Sequence, residues 1–451
     1  MKPKISIKFT NTFTQKKEIF APLKEEAVSI YTCGITPYDY SHIGHARCYI
    51  TADVLVRLFK FLDYKVTHVR NYTDIDDKLL KKAEEQGDIN SYKAIAEKFI
   101  LAYQDDMNQL NCLVPNVEPR VTQHIPQIIE FIEGLIAKKN AYVIDGDVYF
   151  NISTFSNYGK LSKKILDELE SGSRVKIDTR KKNPGDFALW KASNEHFWKS
   201  PWGYGRPGWH IECSVLAKIY LGETIDIHTG GMDLIFPHHE NEIAQSESLH
   251  NTPFVHYWIH NAFVNINKEK MSKSLGNIVT LKDLFKTIDP MVLRYYLLQH
   301  HYRTPLDFNP DELEGVKTAY KKLVTKFDTP TFTQEMIHCV EQFSSLGPIF
   351  DAMLEAICDD VNTPKLLGLV FQHLDTITES PDLTYATKAL LHDILGLSLS
   401  PVEEEQVKIT PEIQALIDQR EEARAAQDWT RADQLRDQLA QLGIKIQDKK
   451  L

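Results

Sequence analysis

The sequence has no apolar run near the roughly 20 residues that cross a bilayer. Its first residues, Met1-Lys2-Pro3-Lys4-Ile5, lack the apolar core of a secretory signal. No membrane association and a cytoplasmic location are therefore expected. Paired cysteines are missing too. Cys33, Cys48, Cys112, Cys213, Cys339 and Cys358 are scattered with no close pair, so neither a disulfide framework nor a CxxC site is suggested. Each is left as core filler or as one ligand of a dispersed metal site. Excess positive charge is also absent. A net charge of -10 excludes a small domain held to nucleic acid by bulk charge. It does not exclude a large enzyme that touches RNA along one face. The one basic stretch, with Lys163, Lys164, Arg174, Lys176, Arg180, Lys181 and Lys182, reads as a solvated loop. Repeats and low-complexity segments are absent. The 451 residues suffice for two or three domains.

What is present centres on Val28 to Tyr49. Val28-Ser29-Ile30-Tyr31-Thr32-Cys33 reads as a strand, Gly34 opens a loop, and a helix begins near Ser41, a suitable N-cap. His42 and His45 then fall in the first turn, where unpaired amides and the helix dipole suit a phosphate. Gly44 between them lets a flat group approach the backbone. Taken alone, His-x-Gly-His fits a pair of solvated histidines equally well.

Lys65 to Arg70 is a second strand, ending in the acidic segment Asn71-Tyr72-Thr73-Asp74-Ile75-Asp76-Asp77-Lys78. Strand, helix, strand predicts a βαβ unit, with ligands at the strand ends. Helices from Ser91 and from Thr122 towards Lys139 follow, and then an Asp145-Gly146 hairpin. This material reads as an insertion. The parallel pattern is predicted to resume at Phe187-Ala188-Leu189-Trp190 and at Thr224 to Gly231. Gly230 and Gly231 permit backbone contact with a nucleoside, and Asp233 suits ribose hydroxyls. Pro237 is placed as the first residue of the next helix. A strand from Val255 to Val264 leads into Lys270-Met271-Ser272-Lys273-Ser274-Leu275-Gly276-Asn277, a doubly basic loop fit to follow the charge of a triphosphate. From Asp283 the chain is expected to be helical. Ser400 to Pro411 reads as a linker, and Glu412 to Leu451 as a small helical unit.

Cys33, Cys213, His238 and Glu242 make a plausible zinc set. His238 and Glu242, four apart, share a helix face. Each member also has a plain structural role open to it, since lone cysteines are more often core.

His42-Ile43-Gly44-His45 together with Lys270-Met271-Ser272-Lys273-Ser274 resembles the HIGH and KMSKS signatures of class I aminoacyl-tRNA synthetases. Within that class the chain is similar, over essentially its whole length, to the cysteinyl-tRNA synthetase family. Blocks carrying the likeness are Tyr31-Thr32-Cys33-Gly34, Tyr72 to Lys78, Gly208-Trp209-His210-Ile211-Glu212-Cys213-Ser214, Gly230-Gly231 with Asp233, and Phe236 to Glu242. The resemblance implies an α/β fold, with a Rossmann-like parallel-sheet catalytic domain split by an insertion. Its halves are expected at 1–115 and 186–282, around a connective region at 116–185. A helical stem-contact and bundle region at 283–400, a linker at 401–411 and an anticodon-binding domain at 412–451 follow.

The same resemblance implies one Zn2+ per chain on Cys33, Cys213, His238 and Glu242, and Mg2+ accompanying ATP. It implies Lys270 and Lys273 on the transition-state charge, and Thr73 and Trp209 around L-cysteine. Arg424, Trp429, Asp433 and Asp448 fall at positions that contact the anticodon of tRNA(Cys). At Lys449-Lys450-Leu451 the chain departs from relatives that continue to a Gly-rich segment with a terminal Trp, so part of that contact is expected to be weaker. A monomer is the expected state. Two other readings stay open: a cysteine-activating enzyme with an amino-sugar acceptor, and a non-catalytic RNA-binding paralogue. The helical tail argues against the first, and the intact signatures argue against the second.

Overall fold

The computed structural model describes residues 6–164, 179–193, 197–266, 269–270, 277–327, 343, 346–401 and 411–441. It divides into two compact units, Met1–Ser400 and Pro401–Leu451. Among the described residues no helix is long and apolar enough to cross a membrane.

The first unit opens with a hairpin, β1 (Lys8–Asn11) and β2 (Lys16–Ile19). Strand β3 (Ala27–Ile35), helix α1 (Ile43–Phe61) and strand β4 (Lys65–Tyr72) form the first βαβ unit. Helices α2 (Asp77–Glu85), α3 (Tyr92–Gln109) and α4 (Ile125–Ala137) follow. Strands β5 (Ala141–Ile144) and β6 (Asp147–Phe150) are the expected hairpin. Asp145 and Gly146 both have positive φ, 51° and 88°, as a type I′ turn demands.

The next strand, β7 (Phe187–Ala192), departs from the sequence reading. It pairs antiparallel with β6 instead of resuming the parallel sheet. With β8 (Trp198–Ser200) and β9 (Gly203–Pro207) it completes a five-stranded sheet of order β5-β6-β7-β9-β8. The reason is local. Val148 and Phe150 offer a buried apolar face that their cross-strand partners Trp190 and Phe187 extend, and periodicity cannot say which sheet a buried strand joins.

Helix α5 (Ile211–Leu221), strand β10 (Ile225–Gly231), helix α6 (Glu240–His250) and strand β11 (Val255–Asn261) complete the parallel sheet, of order β11-β10-β3-β4. Strand β3 pairs with β4 on one side and with β10 on the other. The connections therefore diverge at the C-terminal ends of β3 and β10, where open α/β sheets bind ligands. Strands β12 (Val264–Ile266) and β13 (Glu269–Lys270) form a short hairpin beside β14 (Leu306–Phe308). The segment after Asp283 is thus not wholly helical. Around β14 lie α7 (Leu281–Leu284), α8 (Pro290–Leu298) and α9 (Leu313–Phe327), followed by α10 (Pro348–Cys358), α11 (Thr363–Gln372), α12 (Leu374–Glu379) and α13 (Pro381–Ala389). Several of these begin with proline in the first turn, where the missing amide is harmless.

A buried ion cluster joins α1 to this helical region. The carboxylate of Asp53 on α1 accepts from Arg57 Nε at 2.8 Å and from Arg294 on α8 at 2.5 Å. It also accepts from the amide of Leu113 at 2.7 Å. Arg294 donates further to the carbonyls of Leu110 and Leu395.

In the second unit, α14 (Pro411–Ala425) and α15 (Trp429–Gln441) form a helical hairpin. Ala423, Ala432 and Leu435 make its small core, with Leu416 against them. The linker reading at 401–411 rests mainly on residues outside those described.

Candidate active site and metal centre

The cleft, of about 420 Å³, opens where β3 and β10 end. His42, Gly44 and His45 line it together with Gly231, Asp233 and Cys33.

Helix α1 does not start on Ser41. His42 is the N-cap, with extended backbone, and its Nδ1 accepts the amide of His45 at 3.3 Å. The amide of His42 in turn donates to Nδ1 of His45 at 3.2 Å. This is a reciprocal capping box made of imidazoles. Ser41 is displaced from the cap because its carbonyl accepts the amide of Leu281 at 2.8 Å and His42 bridges Thr280. The two rings stack at 3.6 Å between centroids. Since each Nδ1 accepts, each neutral ring carries its proton on Nε2, away from the cap. The turn thus presents ring N–H donors in addition to the helix dipole.

Cys33 sits where the β3–β4 register shifts between Thr32 and Ile35. Such a bulge re-aims a side chain. Gly34 is obligatory in it, because a Cβ there would land on the Asn71 carbonyl. The Gly34 amide donates to Asn71 Oδ1 at 2.9 Å. Cys213 lies in the first turn of α5 and Glu242 in the first turn of α6. His238 precedes α6 in a wide helical turn, Ile235–His239. Pro237 is inside that turn, after a cis Phe236–Pro237 bond, and so does not begin the helix. The turn brings His238 under Trp209, ring on ring at 4.2 Å.

The four expected ligands converge from four elements. Cys33 and Cys213 sulfurs lie 3.9 Å apart, and Cys213 lies 3.6 Å from His238 Nε2. His238 Nε2 lies 3.1 Å from Glu242 Oε1, which is 3.8 Å from Cys33. Tetrahedral zinc with ordinary bond lengths spaces its donors about 3.3–3.8 Å apart, so these separations fit. All four are buried. Burial, with the Cys213 thiol beside it, pushes the Cys33 thiol up. Burial likewise raises Glu242 and lowers His238. Every donor is driven to its neutral form, and a divalent cation is the charge that compensates thiolates and a carboxylate.

The sequence reading did not single out the second layer. His210 Nδ1 meets His238 Nδ1 at 2.9 Å, which turns His238 Nε2 towards Cys213. His228 Nε2 holds Glu242 Oε2 at 2.9 Å. His239 Nε2 lies 3.2 Å from Cys33, and its Nδ1 meets His260 at 2.7 Å, which reaches Thr12. These partners fix ring orientation as outer-shell groups do around metals. Cys33, His228, His239 and Glu242 form a second, overlapping set of possible ligands. His228 and His239 are backed by Trp258, whereas His238 lies beneath Trp209 on the cleft side. Thr73 is buried, and its hydroxyl donates to Glu212 at 2.8 Å. Nothing in the sequence pattern gave Glu212 a role apart from its neighbours.

Asp74, in the acidic segment, turns inward and accepts from Thr122. Gly230 packs so closely on the His239 ring that a Cβ would lie 2.8 Å from it. The backbone of Lys270 pairs with Asn265 in the β12–β13 hairpin. Lys273 and Asp448 lie outside the described residues. In the second unit Arg424 is on α14, and Trp429 opens α15 at 58% exposure. Asp433 pairs with Arg436 at 2.9 Å.

Comparison with known proteins agrees with this geometry. Residues 19–318 match the family described as tRNA synthetases class I (C) catalytic domain. Residues 407–451 match the cysteinyl-tRNA ligase anticodon binding domain. A cysteine–tRNA ligase of Geobacillus thermodenitrificans is 46% identical, over 98% of this chain and 97% of its own. One of Anoxybacillus flavithermus is 44% identical, over 98% of each. Among solved structures, a Mycobacterium tuberculosis methionyl-tRNA synthetase with methionyl-adenylate superposes with a TM-score of 0.59. It covers 83% of this chain and 92% of that one at 14% identity, a likeness of fold alone. With a family model over most of its length and relatives this similar end to end, the chain belongs to the cysteinyl-tRNA synthetase family of class I aminoacyl-tRNA synthetases.

Proposed function

We propose that the chain is a cysteine–tRNA ligase, and that the cleft performs both half-reactions. A carboxylate oxygen of L-cysteine attacks the α-phosphorus of ATP. The bond from that phosphorus to the bridging oxygen breaks, and pyrophosphate leaves. The 2′-hydroxyl of the terminal adenosine of tRNA(Cys) then attacks the carbonyl of cysteinyl-adenylate, and AMP leaves.

The observation that carries this reading is the convergence of Cys33, Cys213, His238 and Glu242, one of which, Cys33, lines the same cleft as His42 and His45. A zinc ion on those four donors would supply a soft Lewis acid that prefers a thiolate to a hydroxyl and lowers the thiol pKa. The remaining work belongs to the chain. Phosphoryl transfer is chiefly positioning and charge stabilisation. His42 and His45 hold phosphate oxygens through Nε2–H, at the positive end of α1. Lys270 and Lys273 stabilise charge as it moves towards pyrophosphate. Mg2+ arrives with ATP, held by its phosphates. Gly44, Gly230 and Gly231 admit the nucleoside, and Asp233 takes the ribose hydroxyls. Trp209 covers the amino acid, and Thr73, fixed by Glu212, shapes its pocket.

Arg424, Trp429, Asp433 and Asp448 meet the anticodon through stacking and base-edge hydrogen bonds. The anticodon-domain match favours a tRNA acceptor over an amino sugar. The chain works as a monomer in the cytoplasm, where unpaired cysteines stay reduced. The test is cysteine-dependent ATP–pyrophosphate exchange beside charging of tRNA(Cys), with a metal assay on the same sample. Exchange and charging with one bound zinc are expected. Exchange without charging would favour another acceptor, and the absence of both activities would overturn the reading.

A further inference from the structure

Both stems of the lysine loop are fastened to the helix that bears His42 and His45. Downstream, the Ile43 amide donates to Val279 O at 3.2 Å, and the Leu281 amide to Ser41 O at 2.8 Å. Upstream, Asn261 Nδ2 donates to Thr51 Oγ1 at 2.7 Å and to the Arg47 carbonyl at 3.4 Å, and the side chain that reaches furthest into the stem is that of Arg47. Arg47, two residues beyond His45, is only 2% exposed. One of its terminal nitrogens donates to the carbonyls of Ala262 at 3.1 Å and Phe263 at 3.0 Å. The other donates to His301 O at 2.9 Å and to Thr304 O. Ala262 and Phe263 line the nucleotide cleft and lead directly into β12. His301 to Thr304 lead into β14, which lies beside β12.

This is an expensive way to fill the core. No carboxylate pairs with Arg47 among the described residues, and burial pulls its pKa down to about 10. An apolar side chain would occupy the same space without desolvating a charge. What only a guanidinium can do is grip several carbonyls from two segments in one plane.

We propose that Arg47 is a positioning residue for adenylate formation. It fixes the floor of the nucleotide cleft and the root of the lysine loop against the His42–His45 turn. The inference rests on the reading of Lys270 and Lys273 as ATP-contacting groups.

The test uses Arg47→Lys and Arg47→Met in the full-length, zinc-loaded protein. Pyrophosphate exchange is measured with ATP and cysteine varied separately, beside zinc content and amide exchange at Ala262 and Leu306. For Arg47→Met, kcat should fall about 100-fold, as for a sub-ångström to ångström misplacement, and KM for ATP should rise. KM for cysteine and bound zinc should not move. Arg47→Lys should recover part of kcat, because an ammonium reaches fewer carbonyls. Unchanged ATP kinetics in both variants would overturn the proposal. So would parallel loss of ATP affinity, cysteine affinity and zinc, or a failure of both variants to fold, since each makes Arg47 merely structural. If the unaltered protein showed no cysteine-dependent exchange, the functional reading would fall. The clamp would still be judged by amide exchange at Ala262 and Leu306, which Arg47→Lys should accelerate.

Discussion

At the scale of the residue, the site is defined by side chains whose protonation is set by burial. Asp106 on α3 is an example outside the candidate metal centre. It is buried near Ser41, and burial, with Asp105 beside it, pushes its carboxyl up to about 7. An acid whose folded pKa lies above its unfolded value favours the folded state while protonated. Its contribution falls as pH rises from about 4 to 7. Asp106→Asn should therefore raise the melting temperature at pH 8 and leave it nearly unchanged at pH 4. Melting curves at the two pH values check this, and an equal change at both would contradict it. The four candidate metal donors were legible in the sequence only with family resemblance beside them, because each alone fits an ordinary core residue. The histidines behind them were not legible. His228, His239 and His260 meet across strands and a turn, and no spacing along the chain foretells that they touch.

At the scale of the element, α1 is the part around which the others are set. Its first turn caps itself with two imidazoles, its second holds Arg47, and its third carries Asp53 to Arg294 on α8. Burial pushes the Asp53 carboxyl up, but Arg57, Arg294 and the Leu113 amide outweigh burial and hold it below its ordinary value. Removing the carboxylate strands two buried guanidiniums. Asp53→Ala should cost about 3–5 kcal/mol, the usual price of breaking a buried pair. Denaturant unfolding at pH 7 measures it, and a loss under about 1 kcal/mol, the scale of an exposed pair, would contradict the account. Because the folded pKa is lowered, this stabilisation is present above pH of about 4 and lost below it. The βαβ unit of β3, α1 and β4 was readable from alternation and turn signals. The sheet membership of β7 was not, since pairing between segments is decided by which buried faces meet. The cap at His42 also escaped the pattern. Ser41 is the better capping residue by propensity, but tertiary pairing with Thr280 and Leu281 takes its backbone elsewhere.

At the scale of the whole molecule, the proposed function divides the labour between the two units. It gives chemistry to the first, and anticodon contact to the second, whose helical hairpin of α14 and α15 falls within the anticodon-domain match. Trp429, 58% exposed at the start of α15, is suited to stacking on an unpaired base. Such stacking is worth about 1–3 kcal/mol. Trp429→Ala should reduce kcat/KM for tRNA charging roughly 10- to 100-fold, with cysteine-dependent exchange untouched. Equal losses in both assays would contradict the division.

The central claim is that the buried donors select cysteine by its sulfur. It is tested most directly by ATP–pyrophosphate exchange with cysteine and with serine, on zinc-loaded protein and on protein stripped by a chelator and then repleted. The account predicts that stripping removes cysteine activation, that repletion restores it, and that serine is refused by the loaded protein. Stripped protein that still activated cysteine at full affinity and still refused serine would contradict it.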